Sequence, residues 1–381
     1  MRFTRREFTR LGALGLAAQQ VPGAARVLAQ AGEDRRVGYA VIGLGRIAGH
    51  FLEGAKNSEL SKITALVSGH RDKAEKIAAQ YGVPRDSIYS YEDFDKIAAN
   101  KAVDAVYVAL PNSMHMEYTV RAAKAGKHVL CEKPMSISVK EAEDMIAACK
   151  AANVKLMIAY RLHFEPVTLK ALDIVRSGRI GKLQAMEAAN GFNIKFGEWR
   201  YTKALGGGGS LFDVGIYCLN AFRMFAGEEP FGFQGQVATI DHDERFKEVE
   251  ENVSWLMRFP SGALATGAST YGADMPGFYR LHGAYGWLQV GTYTYQGQHL
   301  QGRYAEEPNR DAKKIDVDET GQEKDPMQFV REMDHFSECI LRDRTPKTPG
   351  EEGLADIRCI EAIYKTAGES GGRTAAPAVA R

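Results

Sequence analysis

The chain has 381 residues, 45% of them hydrophobic, which is enough for two domains with sizeable cores. Its 49 basic and 48 acidic residues give a formal charge of +1, so no overall field favours nucleic acid or an anionic membrane. Five scattered cysteines without C-x-x-C spacing argue against a disulfide framework or a zinc site, and we expect no bound metal.

The N-terminus carries the features of an export signal. Thr4-Arg5-Arg6-Glu7-Phe8 is a twin-arginine pattern, and the apolar run that follows is too short to span a bilayer. Val27-Leu28-Ala29 offers a small-residue cleavage site. We therefore expect residues 1–29 to be a signal peptide that sends the folded protein to the periplasm through the twin-arginine (Tat) export machinery, with no membrane anchor. The alternative is a basic helical arm that stays on the protein.

The next segment predicts a dinucleotide-binding turn. A buried strand over Val37–Ile42 leads into Gly43-Leu44-Gly45-Arg46-Ile47-Ala48, which has the pattern G-x-G-x-x-A. In such turns the first glycine makes the bend, and the second lets the backbone approach a pyrophosphate at the positive end of the following helix. We expect the cofactor to contact Gly43, Gly45, Arg46 and Ile47.

Strands and helices then alternate up to residue 160, which predicts an α/β fold with a Rossmann doubly wound parallel sheet over residues 34–160. The predicted strands are Ile63–Val67, Ala105–Leu110, His128–Cys131 and Leu156–Ala159. The predicted helices are Asp72–Tyr81, Glu117–Ala125 and Val139–Ala152.

The end of the second strand indicates which nicotinamide cofactor is used. An NAD enzyme usually has an acidic residue there for the ribose 2′-hydroxyl, whereas small donors and positive charge suit the 2′-phosphate of NADP. Asp72 is the counter-evidence, but we expect it to cap the next helix. The residues that favour NADP are Ser68, Gly69, His70, Arg71 and Lys73.

Two further strands end in polar residues at the edge where ligands bind in such sheets. The third strand ends in Leu110, with Asn112 and His115 expected to face the same crevice. The fourth leads into Glu132-Lys133-Pro134, in which proline restricts the backbone after the lysine. Lys133 beside a cofactor could polarise a substrate hydroxyl, and Glu132 could bind the nicotinamide ribose or orient Lys133. A surface ion pair is the alternative.

Residues 161–381 predict a second, α+β domain with an open, mostly antiparallel sheet. One sheet face could cover the helix that carries Asp213 and Tyr217, and the other could pair with a second subunit. We expect helices over Pro326–Arg342 and Gly353–Ser370, which may pack back on the first domain, and a loop over Gly302–Lys324. The predicted strands are Gln184–Asn190, Gly232–Ile240, Val253–Phe259, Ala263–Thr270, Phe278–Gly283 and Gly286–Val290.

Two motifs together resemble one enzyme family. Glu132-Lys133-Pro134 and the segment Gly206–Tyr217, read as G-G-G-x-x-x-D-x-G-x-Y, are similar to motifs of the glucose–fructose oxidoreductase and inositol dehydrogenase family. Many members have histidine where this chain has Tyr217, and tyrosine there is similar to the glucose–fructose oxidoreductase branch. The likeness runs from about Asp34 to the C-terminus.

The resemblance implies a role for each matching residue. Lys133 would polarise the sugar hydroxyl, Tyr217 would take or give its proton, and Asp213 would orient both sugar and tyrosine. Further residues would surround the two ligands: Tyr160 and Arg161 at the substrate, Arg161, Trp199 and Arg200 near the nicotinamide, and Ser68, Lys73 and Tyr91 near the adenosine.

The implied activity is an oxidoreductase of sugars with tightly bound NADP(H). An exported enzyme lacks an NADP pool, so one aldose would reduce the cofactor and a second sugar, such as fructose or another aldose, would reoxidise it. The alternatives are a conventional NADP-dependent aldose dehydrogenase and a binding protein that senses NADP or sugar. The branch's long proline-rich arm after the signal has no counterpart here, so we expect a homodimer rather than a tetramer.

Overall fold

The computed structural model describes residues 35–291, Tyr293 and residues 295–370. The predicted signal peptide lies outside these residues. The first sheet has six parallel strands in the order β3-β2-β1-β4-β5-β6. Its strands are β1 (Val37–Ile42), β2 (Ser61–Val67), β3 (Ile88–Tyr89), β4 (Ala105–Val108), β5 (His128–Glu132) and β6 (Leu156–Ala159). Its helices are α1 (Arg46–Ala55), α2 (Arg71–Tyr81), α3 (His115–Lys124) and α4 (Val139–Ala151).

The central strand explains why this sheet forms. All six residues of β1 are buried, as expected for a parallel strand covered by helices on both faces. The predicted strands and helices of this region are present, with bounds that differ by no more than two residues. Asp72 does not cap α2, however, because His70 occupies the N-cap position and Asp72 lies in the first turn. There its negative charge still favours the positive helix end.

The second sheet has eight strands in the order β14-β13-β12-β11-β7-β10-β9-β8, and among its neighbouring pairs only β7 and β10 run parallel. The predicted fold class is therefore confirmed. Its strands are β7 (Leu183–Gly191), β8 (Gly232–Ala238), β9 (Asn252–Arg258), β10 (Leu264–Thr270), β11 (Met275–Gly283), β12 (Trp287–Gly291), β13 (His299–Ala305) and β14 (Lys314–Thr320). The accompanying helices are α5 (Pro166–Arg176), α6 (Ile216–Ala226), α7 (Met327–Leu341) and α8 (Gly350–Ser370).

The prediction of a loop over Gly302–Lys324 is wrong, because this segment contains most of β13 and all of β14. Ile315 and Val317 alternate with charged residues in β14, which is a strand pattern with a period of two. The high charge hid that pattern. The high charge is tolerated in the sheet because β14 is an edge strand that pairs only with β13.

The segment before α6 is π-helical rather than α-helical. Residues Leu211–Gly215 form a π turn that continues directly into α6, and such turns recur at functional sites. The inner face of the second sheet covers this segment and α6 through β7, β10 and β11. The sheet thus holds Asp213 and Tyr217 against the end of β5.

The C-terminal helices join the two sheets. Helix α7 packs on α1 and β1, where the Tyr39 hydroxyl lies 3.0 Å from Ser337 Oγ. Helix α8 packs on α4 and on β8. All five cysteines are free and buried. In the described part of the chain, the helices lack the length and apolarity needed to cross a membrane, and no group of side chains is arranged to hold a metal ion.

Candidate active site

Lys133 is the centre of the site, directly after β5. Its Nζ donates to the Asp213 carbonyl oxygen at 2.6 Å and lies 3.2 Å from Asp213 Oδ1. The same ammonium lies 4.5 Å from the centroid of the Tyr217 ring. The Lys133 side chain is only 11% exposed, so these contacts are shielded from water. The structure therefore brings together the three residues predicted to be catalytic.

Asp213 is held from its other side by two more groups. Arg200 Nε lies 3.2 Å from Asp213 Oδ2, and the Tyr271 hydroxyl donates to the same oxygen at 2.9 Å. Tyr271 follows β10 and is fully buried. Tyr271 was not predicted at the site, since this residue lies far along the chain from Asp213 and outside any motif. These contacts fix the Asp213 carboxylate between two cations.

Electrostatics keep this cluster charged. Burial opposes ionisation of Asp213, but Lys133, Arg200 and the Tyr271 hydroxyl together lower its pKa below the ordinary value. Burial likewise opposes protonation of Lys133, yet Tyr217 and Asp213 raise its pKa. Burial and the nearby Asp213 charge raise the pKa of Tyr271 well above its usual value, so it remains a hydrogen-bond donor. At neutral pH the site holds a carboxylate and an ammonium side by side.

Tyr217 lies between two cations and a second aromatic ring. Its ring stacks on Tyr293 with centroids 5.4 Å apart, and the Arg161 guanidinium carbon lies 5.2 Å from its centroid. Arg161 is buried and donates to Gln328 and to the Tyr293 carbonyl oxygen. Lys133 and Arg161 thus both lie within cation–π distance of the Tyr217 ring.

Tyr160, predicted at the substrate, is buried beside this cluster. It lines a small cavity together with Lys133 and Tyr217, but its hydroxyl donates to the buried Asp356 at 2.6 Å. Arg223 binds the other carboxylate oxygen of Asp356 at 2.6 Å. The Tyr160 hydroxyl is thus engaged in a buried polar network behind the catalytic residues.

The glycine-rich turn fits a dinucleotide. Gly43 has φ +83°, and a Cβ there would lie 2.4 Å from the Ala109 carbonyl oxygen, so only glycine is tolerated. A Cβ on Gly45 would meet no atom within 4 Å, which leaves open space above the turn. Helix α1 begins there without a side-chain cap and without an acidic residue in its first turn. Its N–H groups and positive end suit a pyrophosphate. Ile47 packs into the core beneath.

Replacing Gly43 with alanine should disturb the turn that fits the pyrophosphate of the cofactor. We expect Gly43→Ala to weaken NADPH binding by at least about 10-fold, because the backbone must move out of its left-handed conformation and away from Ala109. Fluorescence titration with NADPH measures the effect. The Gly82→Ala variant is the matched control for left-handed strain, since Gly82 also has positive φ but closes α2 in open space. Equal NADPH affinity in Gly43→Ala and wild type would contradict this role for the turn.

The residues predicted at the adenosine end lie together after β2. Ser68 is buried, His70 and Lys73 are exposed, and a Cβ on Gly69 would lie 3.2 Å from the Tyr91 ring. Arg71 differs from the expectation, because its guanidinium is held locally. It binds Glu75 and the carbonyl oxygens of Ile88 and Arg85.

The sequence predicts that Asn112 and His115 face the same crevice, whereas the structure buries both and pairs their side chains with backbone carbonyl oxygens. His115 is fully buried, with Nδ1 2.8 Å from the Pro134 carbonyl oxygen and Nε2 2.9 Å from that of Leu110. Asn112 is buried and donates to the Gly206 carbonyl oxygen at 2.9 Å. Both residues fix loops that carry the site, and burial lowers the pKa of His115.

Glu132, the last residue of β5, directly precedes Lys133. It is buried, accepts from the Tyr107 hydroxyl, and its Oε2 accepts from the Lys133 backbone N–H at 3.2 Å. Burial raises the pKa of Glu132. The fully buried Glu332 on α7 lies close enough to interact electrostatically, which the sequence analysis did not foresee. Both predicted roles for Glu132, binding the nicotinamide ribose and orienting Lys133, stay predictions, because its contact with Lys133 is to the backbone N–H and not to the ammonium.

The segment after β7 that contains Glu198, Trp199 and Arg200 lies at the entrance of the site. The Arg200 guanidinium carbon lies 4.8 Å from the centroid of the Trp199 ring, and Arg200 Nη1 donates to Glu198 at 3.1 Å. Glu198 in turn binds Arg46, the first residue of α1. Arg200 thus links Asp213, through Glu198, to the glycine-rich turn, and the Trp199 ring lies against Arg200. The predicted place of Trp199 and Arg200 near the nicotinamide stays a prediction.

Comparisons with known proteins agree with this architecture. Residues 37–160 match the oxidoreductase family model with an NAD-binding Rossmann fold, and residues 168–289 match the GFO/IDH/MocA C-terminal domain. The chain is 31% identical over 345 residues to D-xylose 1-dehydrogenase (NADP(+)) of Haloarcula marismortui, covering 88% of this chain and 92% of that protein.

Two further matches extend over most of the chain. D-xylose 1-dehydrogenase (NADP(+)) 2 of Haloferax volcanii is 28% identical over 331 residues, covering 86% of this chain and 97% of that protein. The crystal structure of aldose-aldose oxidoreductase from Caulobacter crescentus, complexed with glycerol, has a TM-score of 0.82 and 43% identity. That match covers 88% of this chain and 98% of the other.

Proposed function

Since the chain belongs to the GFO/IDH/MocA family of NAD(P)-dependent oxidoreductases, which act on CH–OH groups of sugars, we propose a two-sugar activity for it. The enzyme keeps NADP(H) bound, oxidises one aldose to an aldonolactone, and reduces a second sugar to an alditol in a ping-pong cycle. The observation that carries this proposal is the cluster in which Lys133 touches both Asp213 and Tyr217. The 43% identity to an aldose-aldose oxidoreductase supports the choice of two sugars.

The chain's own residues supply the proton chemistry. A bound nicotinamide would accept a hydride from one sugar and return it to the next. Tyr217 takes the proton from the hydroxyl that is oxidised, and gives it back to the carbonyl oxygen that is reduced. Lys133 stabilises the negative charge that develops on either oxygen, and Asp213 keeps Lys133 charged and in place. Each half-reaction thus moves one hydride and one proton, and the full cycle leaves the enzyme unchanged.

Preference for NADP over NAD is part of the proposal. Ser68 directly follows β2 and the exposed Lys73 lies in the first turn of α2, beside the strand end where the 2′-substituent of the ribose binds in this fold. Arg71 is held by Glu75 and two carbonyl oxygens, so Lys73 is the better candidate for the 2′-phosphate. The NADP-dependent xylose dehydrogenases among the relatives support the same preference.

Export and assembly belong to the same proposal. The twin-arginine pattern at Arg5-Arg6 supports transport of the folded protein to the periplasm, where retained cofactor would be needed. The outer face of the eight-stranded sheet exposes Leu264 and Trp287, which supports a homodimer formed through that face.

A conventional NADP-dependent aldose dehydrogenase that releases NADPH is the second candidate, favoured by the xylose dehydrogenase relatives. A sensor is less well supported, because binding alone does not need Lys133, Asp213 and Tyr217 in contact.

Product analysis separates the candidates: purified enzyme receives an aldose and a second sugar, with no added cofactor. We expect lactone (or its acid) and alditol in a 1:1 ratio over many turnovers. Sugar oxidation that stops unless NADP is added would instead indicate the conventional dehydrogenase.

A further inference from the structure

An unbroken chain of alternating charges connects the glycine-rich turn with the catalytic lysine. Arg46 Nη2 lies 2.8 Å from both carboxylate oxygens of Glu198, and Arg200 Nη1 donates to Glu198 Oε2 at 3.1 Å. Arg200 Nε then lies 3.2 Å from Asp213 Oδ2, and Lys133 Nζ lies 3.2 Å from Asp213 Oδ1. Glu198 is the member of this chain to which no role has been assigned.

The inner part of this chain is shielded from water. The side chains of Glu198, Arg200 and Asp213 are 20%, 25% and 18% exposed, whereas that of Arg46 is 73% exposed. Ion pairs in fully exposed positions contribute little, because water and salt screen them and the long side chains lose entropy. The two pairs of Arg200, with Glu198 and with Asp213, are shielded and are therefore stronger, whereas the Arg46–Glu198 pair draws its strength from the contact of Arg46 with both carboxylate oxygens.

Glu198 is carried by an ordered loop rather than a free one. The loop leaves β7 and is anchored by Ile194 N, which donates to the Tyr271 carbonyl oxygen at 2.8 Å. It is closed by Gly197 N, which donates to the Tyr201 hydroxyl at 2.7 Å. The loop therefore brings Glu198 to Arg46 at the edge of the turn that fits the pyrophosphate.

The Arg46–Glu198 contact leaves room for a second anion. It uses Nη2 of Arg46, and among the described residues this guanidinium makes no other hydrogen bond. A guanidinium presents five N–H donors in a planar fork, so one edge can bind a carboxylate while another binds a phosphate. A dinucleotide in the turn would therefore lie beneath an ion pair that bridges the two domains.

We propose that Glu198 is a positioning residue that helps to retain the cofactor by holding Arg46 over the pyrophosphate. The Arg46–Glu198 ion pair is called the strap below. Through Arg200, Glu198 also links cofactor retention to the orientation of Asp213. This rests on the proposed function, in which the cofactor stays bound between turnovers. The strap would supply retention within one chain.

The test compares NADPH release from three forms of the holoenzyme. Wild type, Glu198→Gln and Glu248→Gln are loaded with NADPH and mixed with excess NADP⁺, and the loss of bound-NADPH fluorescence gives the release rate. Glu248 is the matched control, because it lies in a neighbouring loop and accepts from the Lys203 backbone N–H rather than from an arginine. Thermal unfolding of each variant checks that the fold is retained.

We expect Glu198→Gln to release NADPH at least about 10-fold faster, since losing the charge weakens both arginine contacts. Raising the salt concentration should speed release from wild type more than from Glu198→Gln. Glu198→Asp keeps the charge and should recover part of the retention, whereas Glu248→Gln should behave as wild type.

The outcomes separate the strap from the proposed function. Slow release from wild type and equally slow release from Glu198→Gln would overturn the strap and leave the retained cofactor intact. Rapid release from wild type itself would contradict the proposed function, and the strap with it.

Discussion

Lys133→Met is expected to lower the rate of cofactor reduction by sugar by about 10³-fold, within the range that a positioned acid–base group contributes. The lysine supplies one of the two positive charges next to Tyr217, the other being Arg161, and its ammonium lies 3.2 Å from Asp213 Oδ1. Methionine has a similar length, and Arg200 and Tyr271 still hold Asp213, so the fold should survive. Single-turnover measurements on loaded enzyme report this rate directly.

Lys140→Met is the control for the loss of a lysine. Lys140 forms an exposed ion pair with Asp144 on α4, and its side chain is 76% exposed. We expect turnover in Lys140→Met to remain at the wild-type level. Unchanged turnover in Lys133→Met would remove the catalytic assignment of Lys133.

Tyr217→Phe tests the proton transfer itself. The variant loses one hydroxyl and keeps the aromatic ring that stacks on Tyr293 and faces Lys133 and Arg161. We expect hydride transfer to slow by about 10²- to 10⁴-fold, because the phenylalanine ring carries no group that can exchange a proton with the sugar. NADPH affinity should change little. Stopped-flow measurement of the half-reaction, with each sugar separately, gives both rates.

Tyr293→Phe is the matched control, because it removes a hydroxyl from the neighbouring stacked ring. That hydroxyl donates to the Phe278 carbonyl oxygen at 3.1 Å and has no catalytic role in this account. A loss of less than about 3-fold is expected there. If the two tyrosine variants slowed both half-reactions equally, packing rather than proton transfer would explain the role of Tyr217.

Local signals in the sequence predicted the centre of the fold and of the site. The buried strand before Gly43-Leu44-Gly45 identified the Rossmann sheet, because its pattern reports strand, turn and helix within a few residues. The four-residue spacing of Asp213 and Tyr217 correctly placed them near each other, although a π turn rather than an α-helix contains Asp213. Lys133 could be expected at a strand end because proline follows it.

The supporting residues could not be predicted from the sequence, since their roles arise from contacts between distant segments. Tyr271 reaches Asp213 across 58 positions, and Glu198 reaches Arg46 across 152. Glu332 comes close enough to Glu132 to interact electrostatically only because α7 packs against the first sheet. The charged edge strand β14 was not predicted for another reason: the charged residues around Ile315 and Val317 made a segment with period-two alternation resemble a loop.

The most direct test of the account is the cofactor content of the purified protein. Extensively dialysed protein is denatured, and the supernatant is assayed for NADP(H) and for NAD(H). About one equivalent of NADP(H) per chain is the result that this account predicts, since the two-sugar cycle requires a cofactor that stays bound. Little or no nucleotide in the supernatant would contradict the account, and would leave a dehydrogenase that exchanges its cofactor with solution.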